Sequence, residues 1–280
     1  MRKKAAVIGV LDGVHEGHRY LLRQLKDIAA GRGLDPVAVT FSRHPLTLVR
    51  PEAVPPQICP LPERLELIRR EGVEPLLLDF TPELRLMTAR KFLEGLKGRG
   101  FDLLLMGFNN RIGLDRLSGP ELAGGPVEVL TATELPERGI CSSEIRAAVS
   151  SGNMELAAKM LGRPFALEGE VVGGRRVGRT IGFPTANVSV EPGQLMPPNG
   201  VYAACAAGHR AVVNIGRRPT LDNGEDVTVE AHLLDFSGDL YGRTLRVEFL
   251  RRLRPEMKFA SLDQLKSRIQ QDIDSVRDGK

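Results

Sequence analysis

The sequence predicts a chain of two domains, an α/β domain with a parallel sheet followed by an all-β domain. In the first half, short apolar runs alternate with amphipathic helical segments. From about Ala166 onward, short strands follow one another with turns and no helices between them. A length of 280 residues is enough for two separate hydrophobic cores. We therefore expect a doubly wound parallel-sheet domain over residues 1–156, and an antiparallel barrel or sandwich with a terminal helix over residues 157–280.

The strands predicted in the first domain are almost continuously apolar, as expected for strands that are buried on both faces of a parallel sheet. They are Ala5–Val10, Pro36–Phe41, Pro75–Phe80 and Phe101–Met106. Between them, apolar residues at helical spacing predict helices over Tyr20–Ala30, Pro62–Arg70 and Ala89–Lys97. This alternation favours a sheet with helices on both faces.

The second half has a strand pattern that is interrupted by turn signals such as Asn199-Gly200 and Asn223-Gly224. The predicted strands are Val171–Val172, Val201–Ala207, Ala211–Ile215, Val227–Leu234 and Leu245–Leu250. A last helix follows, with Ser261 as its N-cap. A helix over Asn153–Leu161, which ends at Gly162, marks the boundary between the domains.

Composition narrows the classes of function. The net charge of +4 comes from arginines dispersed in short pairs, aromatic residues are 5% and tryptophan is absent, which disfavours a nucleic-acid binder. The three cysteines lie far apart without a Cys-x-x-Cys pair, which indicates free thiols in a reducing compartment. The first apolar stretch, Ala5–Leu11, is too short for a signal peptide or a membrane span. We expect a cytoplasmic protein that binds neither membranes nor nucleic acid.

The run Gly178–Asn187 places a Gly-rich turn directly before hard oxygen ligands. Glycine at position 178 lets the backbone approach phosphate oxygens, and Arg179 supplies positive charge. The Thr185 hydroxyl and the Asn187 carbonyl are ligands that Mg²⁺ accepts together with phosphate and water. The run therefore predicts a nucleotide-phosphate and Mg²⁺ site, and the alternative is an ordinary Gly/Pro turn after a strand.

A second candidate phosphate loop connects the first predicted strand to a helix. Its candidate residues are Gly9, Asp12, His15, Gly17 and His18. Backbone amides at the start of a helix attract anions, and both histidines are able to donate to phosphate oxygens. Gly17 removes a side chain where phosphate must approach. The alternative is a pair of partly exposed histidines at a helix start.

Ser142 and Ser143 stand at the start of a third segment, one turn before Arg146. Small hydroxyls with a guanidinium group suit a triphosphate. The alternative is a helix N-cap followed by a solvated arginine.

Together, the histidine loop and the segment Ser142–Arg146 resemble the His-x-Gly-His nucleotidyltransferase superfamily. Motifs of the second half resemble the riboflavin kinase domain in sequence and order. These motifs are Leu161–Phe165, Gly178–Asn187, Gly200–Tyr202, 214–220, Glu230–Phe236, Asp239–Gly242 and Met257–Phe259. With both halves joined, the whole chain resembles the bacterial bifunctional riboflavin kinase/FAD synthetase family.

The resemblance implies that the second half is a six-stranded barrel in which ATP phosphorylates riboflavin to FMN. Thr185 and Asn187 match the family's Mg²⁺-nucleotide ligands, and Glu230 matches its catalytic carboxylate, which accepts the proton of the ribityl hydroxyl. His232 lies on the same strand face as Glu230 and has a structural or supporting role. For the first half, the resemblance implies transfer of an adenylyl group from ATP to FMN, giving FAD, with His15, His18 and Arg146 at the phosphates.

The first half departs from the family pattern within its motifs. The departures are Val10, Leu11, Glu16, Arg43, Asn109, Asn110 and Ile112. A carboxylate at position 16 is unfavourable beside a triphosphate unless it points outward. Asn110 and Ile112 stand where the family pattern has aromatic partners for a flavin, so their presence is expected to weaken FMN or ATP binding.

Two hypotheses therefore remain. In the first, the chain makes FMN and then FAD. In the second, only the barrel is catalytic, and the α/β half is a binding or assembly module. We favour the first, because the residues nearest the phosphates are retained and this chemistry depends chiefly on positioning and charge.

Overall fold

The computed structural model of the chain describes residues 2–136, 139–173, 177–219 and 225–279, apart from the side chains at positions 177, 179, 217–219, 225 and 226. The chain folds into two compact units. The first unit is Met1–Pro55 with Pro60–Cys141, and the second, here called the barrel unit, is Pro56–Cys59 with Ser142–Lys280. In sequence, this structural division at Cys141 comes before the predicted domain boundary at residue 156. The predicted boundary between the two functions stays a prediction.

The first unit is built on a five-stranded parallel sheet. Its strands are β1 (Lys4–Ile8), β2 (Asp35–Phe41), β3 (Glu74–Leu78), β4 (Phe101–Met106) and β5 (Glu128–Thr131). They lie in the order β3-β2-β1-β4-β5. Its helices are α1 (Glu16–Arg32), α2 (Leu46–Val49), α3 (Leu61–Arg70), α4 (Pro82–Arg85) and α5 (Ala89–Gly98), with short 3₁₀ turns at Asp12–Val14, Pro51–Ala53 and Pro120–Leu122.

Helices cover both faces of this sheet because successive residues of each strand point to opposite sides. Val7 of β1 belongs to an apolar cluster that includes Leu22 of α1. Ala6, its neighbour, belongs to a second cluster that includes Leu93 of α5. The predicted doubly wound α/β architecture is confirmed. Strand β5, which was not among the predicted strands, forms one edge of the sheet.

The barrel unit contains a closed six-stranded antiparallel barrel, which decides between the predicted barrel and sandwich. Its strands are β6 (Phe165–Val172), β7 (Ala186–Val190), β8 (Gly200–Ala206), β9 (His209–Pro219), β10 (Glu225–Leu233) and β11 (Thr244–Arg254). They close in the order β10-β7-β6-β11-β8-β9. Its helices are α6 (Ser142–Ser151), α7 (Met154–Leu161), α8 (Val177–Thr180) and α9 (Leu262–Arg277).

Helix α9 packs on the outside of the barrel. Ser261 is its N-cap, as predicted, and accepts a hydrogen bond from the Gln264 N–H. Apolar residues of α9 join outward-facing residues of β8 and β9 in one cluster, and the buried Asp272 accepts hydrogen bonds from the Arg254 guanidinium of β11. Neither α9 nor any other helix in the described part of the chain is long and apolar enough to cross a membrane.

A short segment from early in the sequence, Pro56–Cys59, folds as part of the barrel unit. The Gln57 N–H donates to the Gly193 carbonyl at 2.8 Å, and the Leu195 N–H donates to the Gln57 carbonyl at 2.8 Å. Arg146 Nε donates to the Pro56 carbonyl at 2.8 Å. The barrel unit is therefore assembled from two separate stretches of sequence.

Candidate active sites

The first candidate site lies where β1 ends and α1 begins, at the carboxyl edge of the parallel sheet. The backbone of this β1–α1 loop (residues 9–15) turns with positive φ at Leu11 (53°), Gly13 (77°) and Val14 (38°). A left-handed conformation costs a residue with a side chain on the order of 1–3 kcal/mol, and most of all a β-branched one such as Val14. The surrounding structure must hold the loop in this shape.

His15 and His18 are brought together at the start of α1, as the sequence predicts. The two rings stack with centroids 3.6 Å apart. His15 is the N-cap of α1, and its Nδ1 accepts a hydrogen bond from the His18 N–H at 3.3 Å. An accepting Nδ1 leaves Nε2 of His15 as the nitrogen that carries a proton. His15 is 4% exposed, so the sequence-based alternative of two partly exposed histidines does not describe it.

His18 is held in its neutral form. Burial lowers its pKa well below the usual 6.5, and repulsion from His15, when that ring is protonated, and from Arg64 lowers that pKa further. Its Nδ1 is buried without a hydrogen-bond partner among the described residues. A neutral imidazole with one unsatisfied ring nitrogen is able to form a hydrogen bond to an entering ligand.

Glu16, an acid within the predicted phosphate motif, forms ion pairs with neighbouring arginines. Its carboxylate lies 2.6 Å from Arg19 and 3.4 Å from Arg23. Arg19 also pairs with Glu71 at 2.6 Å. The charge of Glu16 is thus compensated on the α1 surface, which removes the electrostatic objection that its position in the motif raises.

Arg64 of α3 supports the β1–α1 loop and was not among the predicted site residues. Its side chain is buried, with Nη1 donating to the Val10 carbonyl at 2.9 Å and Nη2 to the Phe41 carbonyl at 2.7 Å. The Thr40 hydroxyl also donates to the Val10 carbonyl, at 3.0 Å. Arg64 could have been found from its pattern, because a cation at a core-facing position of an amphipathic helix needs buried partners.

Gly9, Asp12 and Gly17, the remaining predicted residues of the first loop, also lie at this site. The Gly9 N–H donates to the Val39 carbonyl at 3.1 Å, which ties the loop to β2. Asp12 is buried in the 3₁₀ turn. A Cβ at Gly17 would lie 3.2 Å from the His15 ring, so glycine leaves room there for the stacked histidines.

An apolar pocket of about 310 Å³ adjoins the start of this loop in the first unit. Phe41, Phe80 and Phe92 line it, together with polar groups at Asn110 and Arg111. The Asn110 side-chain amide donates to the Ile8 carbonyl at 3.2 Å. Aromatic faces absent from the predicted positions are therefore supplied by the end of β2, the segment after β3 and helix α5.

Ser142, Ser143 and Arg146 belong to the barrel unit, where they occupy the first turns of α6. Ser143 is exposed, and Ser142 and Arg146 are half-buried. Their predicted start of a helix is confirmed. Their participation with His15 and His18 in one site stays a prediction, because the two histidines belong to the first unit.

The second candidate site is the run Gly178–Asn187, here called the barrel loop, which begins in α8 and ends in β7. The Phe183 N–H donates to the Gly178 carbonyl at 2.7 Å. A Cβ at Gly178 would lie 2.3 Å from the Phe183 carbonyl oxygen and 3.4 Å from the Thr185 hydroxyl. Only glycine fits this close approach, which brings the start of the loop next to Thr185. The side chain of Arg179 lies outside the described part of the chain.

Glu230 lies beside this loop on the outer face of the barrel. In the antiparallel register it pairs with Asn187 of β7 on one side and with Asn214 of β9 on the other. Directly paired residues of antiparallel strands share a face, so one carboxylate stands between two carboxamides. The inward-facing neighbours Val229 and Ala231 are buried.

His232, two residues further along β10, holds the loop in place. Its Nδ1 donates to the Pro184 carbonyl at 2.7 Å, and its ring packs edge-on against Phe183 with centroids 5.9 Å apart. Its supporting role is thus visible in the contacts. Groups of three or more His, Cys, Asp or Glu able to hold a metal do not occur among the described residues.

Comparison with protein families matches both parts of the chain. A family model described as FAD synthetase matches residues 1–134, and one described as riboflavin kinase matches residues 161–279. The chain is also similar to proteins described as bifunctional riboflavin kinase/FMN adenylyltransferase. The one from Escherichia coli K12 is 37% identical over 97% of this chain and 91% of the relative, and the one from Pseudomonas fluorescens is 35% identical over the same shares.

One solved structure is similar over nearly the whole chain. It is the crystal structure of a Streptococcus pneumoniae protein described as a macrolide-efflux protein, with a TM-score of 0.89 and 33% sequence identity. The match covers 99% of this chain and 95% of that one. Both halves and their order are therefore shared with a protein of known structure.

Proposed function

Because this chain belongs to the bifunctional riboflavin kinase/FMN adenylyltransferase family, we propose that it makes FMN from riboflavin in the barrel unit and FAD from FMN in the first unit. The observation that carries the proposal is the match of a separate family model to each half. Each matched half contains a segment suited to phosphate next to a strand, after β1 in the first half and before β7 in the second. The match of the first half favours two activities over a kinase with a non-catalytic partner domain.

In the kinase reaction, we assign Glu230 as the general base. Its carboxylate accepts the proton of the riboflavin 5′-hydroxyl while that oxygen attacks the γ-phosphorus of ATP, and ADP leaves. The position of Glu230 on β10 supports this assignment, because the strand register pairs it directly with Asn187 of the candidate nucleotide site. His232 positions the nucleotide loop through Pro184.

We assign Thr185 and Asn187 as the residues that hold Mg²⁺ together with the ATP phosphates. The donor set fits this ion, because a hydroxyl and a carboxamide are hard oxygen ligands and Mg²⁺ usually keeps several water and phosphate ligands. When bound, Mg²⁺ neutralises charge on the transferring phosphates. Gly178 allows the phosphates to approach the backbone of the loop.

In the adenylyl transfer, a phosphate oxygen of FMN attacks the α-phosphorus of ATP, and pyrophosphate leaves. No covalent enzyme intermediate is needed, so the protein acts by orientation and charge. His15 and His18 donate hydrogen bonds to phosphate oxygens from the start of α1, where backbone N–H groups add to the positive potential. Ser142, Ser143 and Arg146 complete the set of phosphate ligands in this proposal.

The pocket beside the β1–α1 loop suits the flavin ring of FMN. Its aromatic walls offer faces for stacking against a flat apolar ring system. Its position at the carboxyl edge of the sheet, beside the β1–α1 loop, supports a flavin bound close to His15 and His18 in this proposal. Asn110 and Arg111 supply polar contacts at the rim. The small-molecule partners proposed here are thus riboflavin, FMN and ATP, and the thiols and composition favour a cytoplasmic location.

Flavin analysis tests this function directly. Purified protein is incubated with ATP, Mg²⁺ and either riboflavin or FMN, and the flavins are separated by chromatography. We expect FMN followed by FAD from riboflavin, and FAD from FMN. Formation of FMN without any FAD would show that the first unit is not an adenylyltransferase, and formation of neither would refute both activities.

A further inference from the structure

We propose that Arg64 is a positioning residue for adenylyl transfer, which holds the β1–α1 loop in the conformation that presents His15 and His18. This inference rests on the proposed function of the first unit. It concerns a side chain that lies beneath the loop and is not among the phosphate ligands assigned above.

The contacts of Arg64 join two strand ends. Its guanidinium donates from Nη1 to the carbonyl of Val10, which follows β1, and from Nη2 to the carbonyl of Phe41, the last residue of β2. The planar fork of an arginine reaches two acceptors at once, which the single ammonium of a lysine does not reproduce. Only 7% of the residue is exposed, so these hydrogen bonds form away from water.

The location of the first contact gives it particular weight. Val10 immediately precedes Leu11, the first of the residues with positive φ. Conformations of this kind persist only when the surrounding structure holds them. Arg64 and Thr40 both donate to the Val10 carbonyl, so the chain is fixed at the point where it enters the strained turn. From there, residues 12–15 lead directly to the histidines.

Arg64 also acts on the histidines through its charge. The pKa of His18 is lowered first by burial, next by His15 and then by Arg64. A fixed guanidinium beside His18 thus favours the neutral imidazole. A residue that merely fills space in the core would have no such effect.

The test compares Arg64→Met and Arg64→Lys with the control Arg70→Met on the same helix, whose side chain is 70% exposed and pairs with Glu66. We expect Arg64→Met to lower kcat for FAD formation from FMN by about 10²-fold, the effect of a shift of about 1 Å in catalytic geometry. KM for FMN should change much less. Arg64→Lys should recover part of the loss, and the control should match the wild type.

Two further readouts separate positioning from folding. Formation of FMN by the barrel unit, measured in the same samples, should be unchanged in all variants. Titration of the His18 ring by NMR should show a higher pKa in Arg64→Met than in the wild type, and a smaller rise in Arg64→Lys, because the lysine keeps the charge.

Particular outcomes would overturn the proposal. A wild-type kcat for FAD formation in Arg64→Met would do so, as would an unchanged His18 titration. If Arg64→Met does not fold, a wild-type kcat in Arg64→Lys would show that simultaneous hydrogen bonds to the Val10 and Phe41 carbonyls are not needed. If the wild-type protein itself makes no FAD, the proposed adenylyl transfer is wrong and this inference falls with it.

Discussion

The two candidate phosphate loops of this molecule, the β1–α1 loop and the run Gly178–Asn187, are held in place by different means. The β1–α1 loop of the first unit is supported from beneath by a buried arginine and ends at the buried His15, which stacks on His18. The loop Gly178–Asn187 of the barrel unit lies on an outer barrel face and is held by its own close backbone approach and by His232. The first loop is thus held by a side chain from α3, which lies in the core beneath it. The second is held by a hydrogen bond within the loop and by a side chain of the neighbouring strand β10.

This difference bears on the departures of the first unit from the family pattern. In the first unit, the support goes through main-chain carbonyls, such as those of Val10 and Phe41, which are present whatever side chain the position carries. Substitutions at Val10 and Leu11 therefore leave the support in place. In the barrel loop, close packing at Gly178 leaves no such freedom.

The largest effect that separates the two sites is expected from Glu230→Gln. Removing the proposed base should lower FMN formation by about 10³-fold, since general-base catalysis contributes on this order. FAD formation from added FMN should be unchanged. Both rates are measured by flavin chromatography, with Glu248→Gln on β11 as the control. Near-normal FMN turnover in Glu230→Gln would show that Glu230 is not the base.

The reciprocal change is His18→Ala. Loss of a hydrogen-bond donor to the reacting phosphates should lower FAD formation by about 10²-fold, while FMN formation persists. Glu16→Gln is the matched control, because its carboxylate pairs with Arg19 and Arg23 on the helix surface. A comparable loss of FMN formation in His18→Ala would contradict the independence of the two sites.

Gly178→Ala tests the rigidity of the barrel loop. The new Cβ would lie 2.3 Å from the Phe183 carbonyl, so the loop must shift. We expect kcat/KM for ATP in FMN formation to fall by up to about 10²-fold. Gly173→Ala, where a Cβ meets open space, is the control. Equal activity of the two variants would show that the loop adapts and that the contrast drawn above is wrong.

A smaller effect is expected from His232→Ala. Loss of its hydrogen bond to Pro184 should raise KM for ATP in the kinase reaction by about fivefold, in line with the net value of roughly 1 kcal/mol for one hydrogen bond. His232→Gln should restore part of the affinity by donating from its amide. Initial rates at varied ATP measure both variants, and an unchanged KM in His232→Ala would remove His232 from the support of the loop.

The smallest effect is a pH dependence of stability in the first unit. Because the pKa of His18 in the folded protein is lowered below 6.5, the unfolded chain binds a proton at His18 that the folded chain rejects. The free energy of unfolding should therefore fall as pH drops below about 6.5, toward the folded pKa, and should be insensitive to His18 above that pH.

Hydrogen exchange of peptides from the first unit measures this dependence, with peptides from the barrel unit as an internal reference. His18→Gln, which does not titrate, should show a weaker loss of protection at low pH than the wild type. An identical pH dependence in wild type and variant would contradict the assignment of the effect to His18.

Most strands and helices could be predicted from the sequence, because the spacing of apolar residues shows which face of each element is buried. The continuous apolar run Phe101–Met106 is a strand in the structure with the same bounds, and Ser261 caps the last helix as predicted. The strands β5 and β7 were not predicted, because Glu128–Thr131 and Ala186–Val190 are short and largely unburied. These two segments are strands because they pair with neighbouring strands, and this pairing cannot be seen in the local sequence pattern.

The sites were only partly predictable for a related reason. Motif residues such as His15, His18 and Gly178 carry a local signal, and the structure places the histidines at the start of α1 and Gly178 in α8. Arg64 is distant in sequence from the loop that it supports, so only the packing of α3 reveals its partners. The outward pairing of Glu16 likewise depends on Arg23 and on the rotation of α1.

The barrel unit combines residues 56–59 with residues from 142 onward, and this affects the order in which the two units can fold during synthesis. Gln57 leaves the exit tunnel early, but its hydrogen-bonding partners Gly193 and Leu195 are synthesised much later. At about 5–20 residues per second, the delay is on the order of ten seconds. During that interval the five strands of the first unit can form their sheet. The segment Pro56–Cys59 can form its hydrogen bonds only after Gly193 and Leu195 have been synthesised.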